Sequence, residues 1–79
     1  KVIVNSNVRI GENCIINTGS IIEHDVEIGN NCHIAPGAII NGGAIIKSDS
    51  FIGSGAVIKQ YSLIKEKTFV QAGSFYAKK

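Results

Sequence analysis

Residues 20–37 read SIIEHD-VEIGNN-CHIAPG, three blocks of six residues in which the third residue is always isoleucine. The same spacing continues in both directions, and every sixth residue from position 4 to position 70 is Ile or Val. Two residues before each of these positions the side chain is small or modest, mostly Ser, Ala, Cys or Val. Because the side chains of a strand alternate between its two faces, both columns point to one interior. We therefore predict one short strand in every six residues.

A second regularity marks the ends of these strands. Three residues after each member of the Ile/Val column the residue is Gly, Asn or Asp in ten of twelve cases, the exceptions being Tyr61 and Lys67. These residue types tolerate a positive φ better than other residues do. The pattern predicts a tight two-residue corner after every strand.

The composition excludes several classes of protein. A net charge of +2 and an aromatic content of 6% do not suit a nucleic-acid-binding surface. An apolar content of 44% excludes a disordered chain, and no apolar run reaches the length of a membrane span. The two cysteines occupy inward positions and are predicted to be reduced core thiols. No spacing typical of a metal site is present, and we predict no metal. From the charge, the aromatic content and the absence of a long apolar run we also predict no nucleic-acid partner and no membrane.

The two columns and the corner residues together resemble the hexapeptide repeat of the left-handed parallel β-helix, and this resemblance covers nearly the whole chain. In that family three hexads close one triangular coil of eighteen residues. The resemblance implies an all-β protein, a single-stranded left-handed parallel β-helix of about four coils, with residues 1–79 forming one domain. The handedness is implied by the resemblance alone.

A coil of eighteen residues stacks the outward side chains in columns. One column is entirely apolar and a second is largely so; their members are Ile3, Ile21, Ile39, Val57 and Phe75, and Ile15, His33, Phe51 and Phe69. An exposed apolar stripe of this length is typical of an interface. We predict a homo-oligomer, and the family's threefold trimers favour a homotrimer; a flanking segment covering the stripe is the alternative.

The residues themselves point to His24 as the place where chemistry could occur. His24 occupies a corner position that carries Ser, Glu, Thr, Asn, Pro, Gly or Gln in other hexads, so the fold does not demand histidine there. Asp25 follows directly, and a carboxylate can orient an imidazole and raise its basicity. Eighteen residues further on, Gly42 and Gly43 would leave backbone N–H groups open beside the imidazole, as in an oxyanion site.

The stretches 16–25 and 28–37 resemble bacterial sialic acid O-acetyltransferases and sugar N-acetyltransferases, a branch of the hexapeptide acyltransferases. The resemblance implies that His24, in the E-H-D motif formed with Glu23 and Asp25, is the general base. It further implies that Asp25 is its acidic partner, that His33 and Glu23 bind substrate, and that the Gly42 N–H faces the thioester carbonyl.

The implied activity is acetyl-CoA-dependent transfer of an acetyl group to an amine or hydroxyl of a sugar or nucleotide sugar, in a cytoplasmic homotrimer. Gly43, Gly55 and Lys59 are then predicted to bind acetyl-CoA together with Gly42. The CoA phosphates could meet lysines of the last coil and tail, which are Lys59, Lys65, Lys67, Lys78 and Lys79. Members of the branch begin with a nucleotide-sugar-binding domain, so we expect the chain to be a fragment of a longer protein.

Two alternative functions use the same β-helix. A γ-class carbonic anhydrase shares the coil but needs three histidines around zinc, and this chain has two. A non-catalytic β-helix that serves as an oligomerisation or structural module is the stronger alternative. The acceptor sugar, and the choice between nitrogen and oxygen as the acetylated atom, stay open.

Overall fold

The computed structural model describes residues 1–78, and Lys79 lies outside the described residues. Thirteen short parallel strands within residues 1–78 form three sheets, which are the three faces of a solenoid. The first face contains β1 (Ile3–Val4), β4 (Ile21–Ile22), β7 (Ile39–Ile40), β10 (Val57–Ile58) and β13 (Phe75–Tyr76). The second contains β2 (Arg9–Ile10), β5 (Glu27–Ile28), β8 (Ile45–Ile46) and β11 (Leu63–Ile64). The third contains β3 (Ile15–Ile16), β6 (His33–Ile34), β9 (Phe51–Ile52) and β12 (Phe69–Val70).

The register between strands confirms a coil of eighteen residues. Ile3 pairs with Ile21, Arg9 pairs with Glu27, and each further pair of strands keeps the same offset. The chain therefore makes about four coils, and residues eighteen apart lie directly above one another. The predicted all-β solenoid is confirmed.

The interior is formed by the two columns predicted from the sequence. The isoleucines from Ile22 to Ile64 in the column are at most 3% exposed, and the small residues beside them are also buried. The core is less complete in the first coil, where Val4 is 48% exposed. Burial of one such isoleucine contributes about 1.5–3 kcal/mol, so the middle coils supply most of the core's stability.

Two of the buried inward serines are hydrogen-bonded to backbone carbonyls. The Ser20 hydroxyl donates to the carbonyl oxygen of Ala35 at 3.0 Å, and the Ser50 hydroxyl donates to that of Lys65 at 3.0 Å. Cys14 and Cys32 are free thiols, and burial raises the pKa of the Cys32 thiol. The two cysteines are core residues, as predicted.

The corners have the predicted positive φ, and they have it at every position. All twelve corner residues lie between +58° and +75°, including Tyr61 at +63° and Lys67 at +59°. Such a conformation costs a residue other than Gly, Asn or Asp about 1–3 kcal/mol. The stacking of the coils imposes the corner even where the local sequence disfavours it.

The corners are named here after one member each. The His24 corner joins the first and second faces and contains residues 6–7, 24–25, 42–43 and 60–61. The Asn30 corner joins the second and third faces and contains residues 12–13, 30–31, 48–49 and 66–67. The Gly55 corner joins the third and first faces and contains residues 18–19, 36–37, 54–55 and 72–73.

Candidate functional site

His24 projects from the His24 corner into solvent. Strand β4 ends at Ile22, and the chain turns at Asp25 with a φ of +62°, which directs both side chains away from the core. The two side chains are 51% and 53% exposed, and Nδ1 of His24 lies 3.0 Å from Oδ2 of Asp25. The predicted pair is therefore in hydrogen-bonding contact.

The Asp25 carboxylate has a second partner on the coil below. Nδ2 of Asn7 donates to Oδ1 of Asp25, so each carboxylate oxygen has one hydrogen bond. The hydrogen bond from Asn7, followed by that from His24, lowers the pKa of Asp25 from its ordinary value. An ionised carboxylate can only accept a hydrogen bond. In the neutral imidazole the hydrogen must then be on Nδ1, and Nε2 of His24 remains free to take a proton.

Gly42 lies directly above His24 and leaves room for its ring. A methyl group in place of the Gly42 α-hydrogen would lie 2.7 Å from both Cε1 and Nε2 of His24. The Gly42 N–H makes no hydrogen bond to any group in residues 1–78. A ring nitrogen without a hydrogen-bond partner therefore lies against Gly42, a residue whose N–H makes no hydrogen bond within residues 1–78.

Gly43 has a different environment from Gly42. Its N–H donates to the carbonyl oxygen of His24 at 3.0 Å, and the ring of Tyr61 covers its α-carbon. Of the two glycines predicted to offer an N–H to a ligand, only Gly42 has its N–H free of a hydrogen bond within the described chain.

An open groove of about 390 Å³ runs along the first-face side of this corner. Its lining consists of Glu23, His24, Asn41, Gly42, Lys59, Gln60 and Phe75. Glu23 is held by a hydrogen bond of 2.8 Å from Nδ2 of Asn5 to its Oε1. The groove thus brings together four of the predicted site residues, with a carboxylate at one level and the Lys59 ammonium two coils above.

His33 and Gly55 lie elsewhere on the molecule. His33 is on the third face, where its ring meets Phe51 edge-on with centroids 4.8 Å apart, and Phe51 stacks on Phe69 at 5.1 Å. Gly55 is at the Gly55 corner, and a methyl group built there would touch nothing within 4 Å. A single copy of the chain does not gather these two residues with His24.

Sequence reasoning missed two asparagines that support the site from the coil below and two residues that line the groove. Asn7, which binds Asp25, and Asn5, which binds Glu23, each lie eighteen residues before their partner. Gln60 and Phe75 line the groove from higher coils. Reading the sequence at a lag of eighteen from Asp25 and Glu23 would have found both asparagines.

A second open groove, of about 470 Å³, lies on the second face and reaches the Asn30 corner. Two of its corner groups are already bonded to one another, because Ser48 Oγ accepts a hydrogen bond of 2.9 Å from the Asn30 N–H.

Within residues 1–78 no three His, Cys, Asp or Glu side chains are grouped as metal ligands. The part of the chain that the structure describes also contains no helix able to cross a membrane.

Comparison with known proteins defines the class. The model of the family described as bacterial transferase hexapeptide (six repeats) matches residues 7–42 and 25–60. These matches span more than half of the chain, which therefore belongs to this hexapeptide transferase family. The coil is that family's left-handed β-helix, as predicted.

One solved structure carries the comparison further. The acetyltransferase domain of PglB from Neisseria gonorrhoeae FA1090 has 25% sequence identity and a TM-score of 0.83. The match covers 94% of this chain and 45% of that one, so the chain spans under half the length of this neighbour. No curated protein matches the chain. Family and neighbour together confirm the predicted resemblance to hexapeptide-repeat acyltransferases.

Proposed function

We propose that the chain is the catalytic β-helix of an acetyltransferase that moves an acetyl group from acetyl-CoA to an amine or hydroxyl of a sugar or nucleotide sugar. The observation that carries this proposal is the arrangement at the His24 corner. Nδ1 of His24 donates to Asp25, Nε2 lies against Gly42, and the Gly42 N–H makes no hydrogen bond within residues 1–78. Family membership and the acetyltransferase neighbour support the class of reaction.

The proposed reaction is a direct transfer. Nε2 of His24 removes a proton from the acceptor as its nitrogen or oxygen attacks the thioester carbonyl carbon. The Gly42 N–H donates to the oxyanion that forms, and the carbon–sulfur bond then breaks. The proton on His24 passes to the departing CoA sulfur, which restores the base. A positioned base of this kind contributes about 10²–10⁴-fold to the rate.

The rest of the groove suits the two substrates. The Glu23 carboxylate lies on the same side of the corner as His24, and in the proposal it accepts hydrogen bonds from acceptor hydroxyls or the amine. The Lys59 ammonium, higher in the groove, attracts the acetyl-CoA phosphates. Gly42, which has no side chain, leaves room in the groove for the thioester arm to approach.

We propose a homotrimer in which the groove is completed by a neighbouring copy. Two apolar outer columns remain partly exposed, with Phe75 at 66% and Phe69 at 68%. His33 and Gly55 lie on or beside the third face, away from His24 of the same copy. A neighbour's third face against the groove would supply them, so that His33 contacts substrate and Gly55 the acetyl-CoA arm.

Two wider predictions accompany this proposal. A preceding nucleotide-sugar-binding domain, expected from the resemblance, would supply acceptor contacts that the β-helix lacks. A cytoplasmic location agrees with the use of acetyl-CoA.

The test is a calorimetric titration of acetyl-CoA against the full chain, with its mass in solution measured by sedimentation. Binding by a trimer, together with acetyl transfer to amino sugars, is the expected result. A well-folded chain that neither binds acetyl-CoA nor transfers the acetyl group would overturn the proposal and favour the non-catalytic module.

A further inference from the structure

The Asp25 carboxylate is exposed, and its hydrogen bond to His24 alone would not fix its orientation. A carboxylate with one bonded oxygen can rotate about the bond to its β-carbon and still be solvated. Here Nδ2 of Asn7 donates a hydrogen bond to Oδ1, and Nδ1 of His24 donates one to Oδ2. The two bonds together fix the plane of the carboxylate. Asn7 thus lies at the start of a hydrogen-bonded chain that ends at His24.

We propose that Asn7 is a positioning residue, which acts through Asp25 to keep His24 in the tautomer with Nδ1 protonated and Nε2 free. The proposal rests on the proposed function, since a general base needs the free Nε2. Asn7 does not line the groove, so it has no direct part in binding substrate. It is on the first coil, one full turn below Asp25.

The chemistry of the amide explains why asparagine suits this position. The backbone of Asn7 has a φ of +59°, which restricts the position to Gly, Asn or Asp without strain. Glycine would offer no donor, and aspartate would place a second carboxylate against Asp25. Asparagine alone among the three tolerates the corner and donates a hydrogen bond.

The chain contains a matched control at the Asn30 corner. Asn13 has a φ of +62°, and its Nδ2 donates at 2.9 Å to Oδ1 of Asn31, also eighteen residues further on. Asn7 and Asn13 therefore make the same kind of bond between the same two coils. Only Asn7 leads to a histidine.

The experiment compares Asn7→Gly with Asn13→Gly in the full chain. Glycine fits a positive φ, so both variants keep the corner and each loses one exposed hydrogen bond. Imidazole ¹⁵N chemical shifts, which distinguish the two neutral tautomers from each other and from the imidazolium, report the tautomer of each histidine. His33 serves as an internal reference, because it is on another face.

We expect His24 to lose its Nδ1-protonated form in Asn7→Gly and to keep it in Asn13→Gly. Asn7→Asp, which retains the shape but not the donor, should give the same loss. Unchanged His24 shifts in Asn7→Gly would overturn the proposal, as would equal changes in the two glycine variants.

Turnover provides the second reading. In Asn7→Gly, kcat should fall about three- to tenfold, the equivalent of one hydrogen bond of about 1 kcal/mol, with KM for acetyl-CoA unchanged. A lost tautomer with unaltered kcat would overturn the role in catalysis. The charged groups around His24 that bear on its pH profile are Asp25, Glu23 and Lys59, and none is altered in Asn7→Gly.

Absence of acetyl transfer in the unsubstituted chain refutes the proposed function instead. In that case the ¹⁵N chemical shifts still decide whether Asn7 sets the tautomer of His24.

Discussion

The His24 corner and the Asn30 corner have the same backbone and the same position in the hexad, but their side chains do different things. Both corners carry a positive φ at the second residue, and both contain an asparagine that donates to the coil above. At the Asn30 corner, side chains of the coil above also accept hydrogen bonds from two backbone N–H groups, those of Glu12 and Asn30. Within residues 1–78, no side chain accepts from a backbone N–H group of the His24 corner.

The difference lies in the first residue of each corner. In the Asn30 corner, Oδ1 of Asn30 accepts from the Glu12 N–H at 2.9 Å, and Oγ of Ser48 accepts from the Asn30 N–H at 2.9 Å. Gly11 and Gly29 make room for these caps, since a methyl group at either would collide with the capping side chain. Each side chain there completes the backbone of the coil below.

At the His24 corner the residue above His24 is Gly42, which has no side chain to act as a cap. The imidazole occupies the free space, and the Gly42 N–H stays open within residues 1–78. One corner therefore contributes stability, while the other keeps a base and a donor available. In a repeat protein, a candidate site is indicated where the repeat's own hydrogen bonding is left incomplete.

The largest expected effect comes from removing the base. His24→Ala should lower kcat about 10²–10⁴-fold, because no other group in the groove can take the acceptor proton from that position. Glu12→Ala, at the same hexad position in the Asn30 corner, should leave kcat within about twofold. Initial rates of CoA release with an amino-sugar acceptor measure both. Comparable losses in the two variants would show that the corners are not functionally distinct.

The next largest effect should be a loss of activity without a loss of stability. Gly42→Ala places a methyl group where Cε1 and Nε2 of His24 now lie, so the ring must move. We expect kcat to fall about tenfold or more, with the unfolding midpoint unchanged or slightly higher, since alanine restricts the unfolded chain more than glycine does.

Ser48→Ala is the counterpart at the Asn30 corner. It removes the cap on the Asn30 N–H, which should cost about 0.5–1.5 kcal/mol of stability with kcat unaffected. Thermal unfolding and initial rates on both variants test the contrast. A loss of stability in Gly42→Ala large enough to explain its loss of activity would contradict this contrast between the two corners.

The smallest effect concerns the two strained corner residues. Lys67→Gly, in the Asn30 corner, should raise the free energy of unfolding by about 1 kcal/mol, because a positive φ costs glycine nothing. Tyr61→Gly, in the His24 corner, relieves the same strain but loses the ring that covers Gly43, so its gain should be smaller. Denaturant unfolding of the two variants shows which of them gains more free energy of unfolding. A larger gain for Tyr61→Gly would mean that its ring contributes nothing to the fold.

Most of the fold could be predicted because its causes are local. The alternation of inward and outward side chains and the tolerance of Gly, Asn and Asp for a positive φ both act within six residues. Tyr61 and Lys67 depart from the second rule, yet their corners form. The N–H of each donates to a carbonyl oxygen of the coil below, those of Gly42 and Ser48, and these bonds fix the backbone there. Local preference alone would have left those two corners uncertain.

The candidate site was predictable in part. His24 and Asp25 could be chosen because a histidine beside a carboxylate is unusual in the repeat, and the structure places them in contact. Asn7 was missed because its contact with Asp25 connects two coils and appears in no short motif. Gly43 was expected to offer its N–H, but that group donates to the His24 carbonyl, a bond that depends on how the coils stack.

Sequence was sufficient for the period, the corners, the buried columns and the identity of the pair at the His24 corner, because each depends on side-chain size, charge and backbone preference over a few residues. Three-dimensional stacking was required to show which hydrogen bonds are made and which stay free. The two bonds on the Asp25 carboxylate, the room above the imidazole and the open Gly42 N–H all depend on distances between coils. Those distances follow from the packing of the whole interior, so no single hexad contains them.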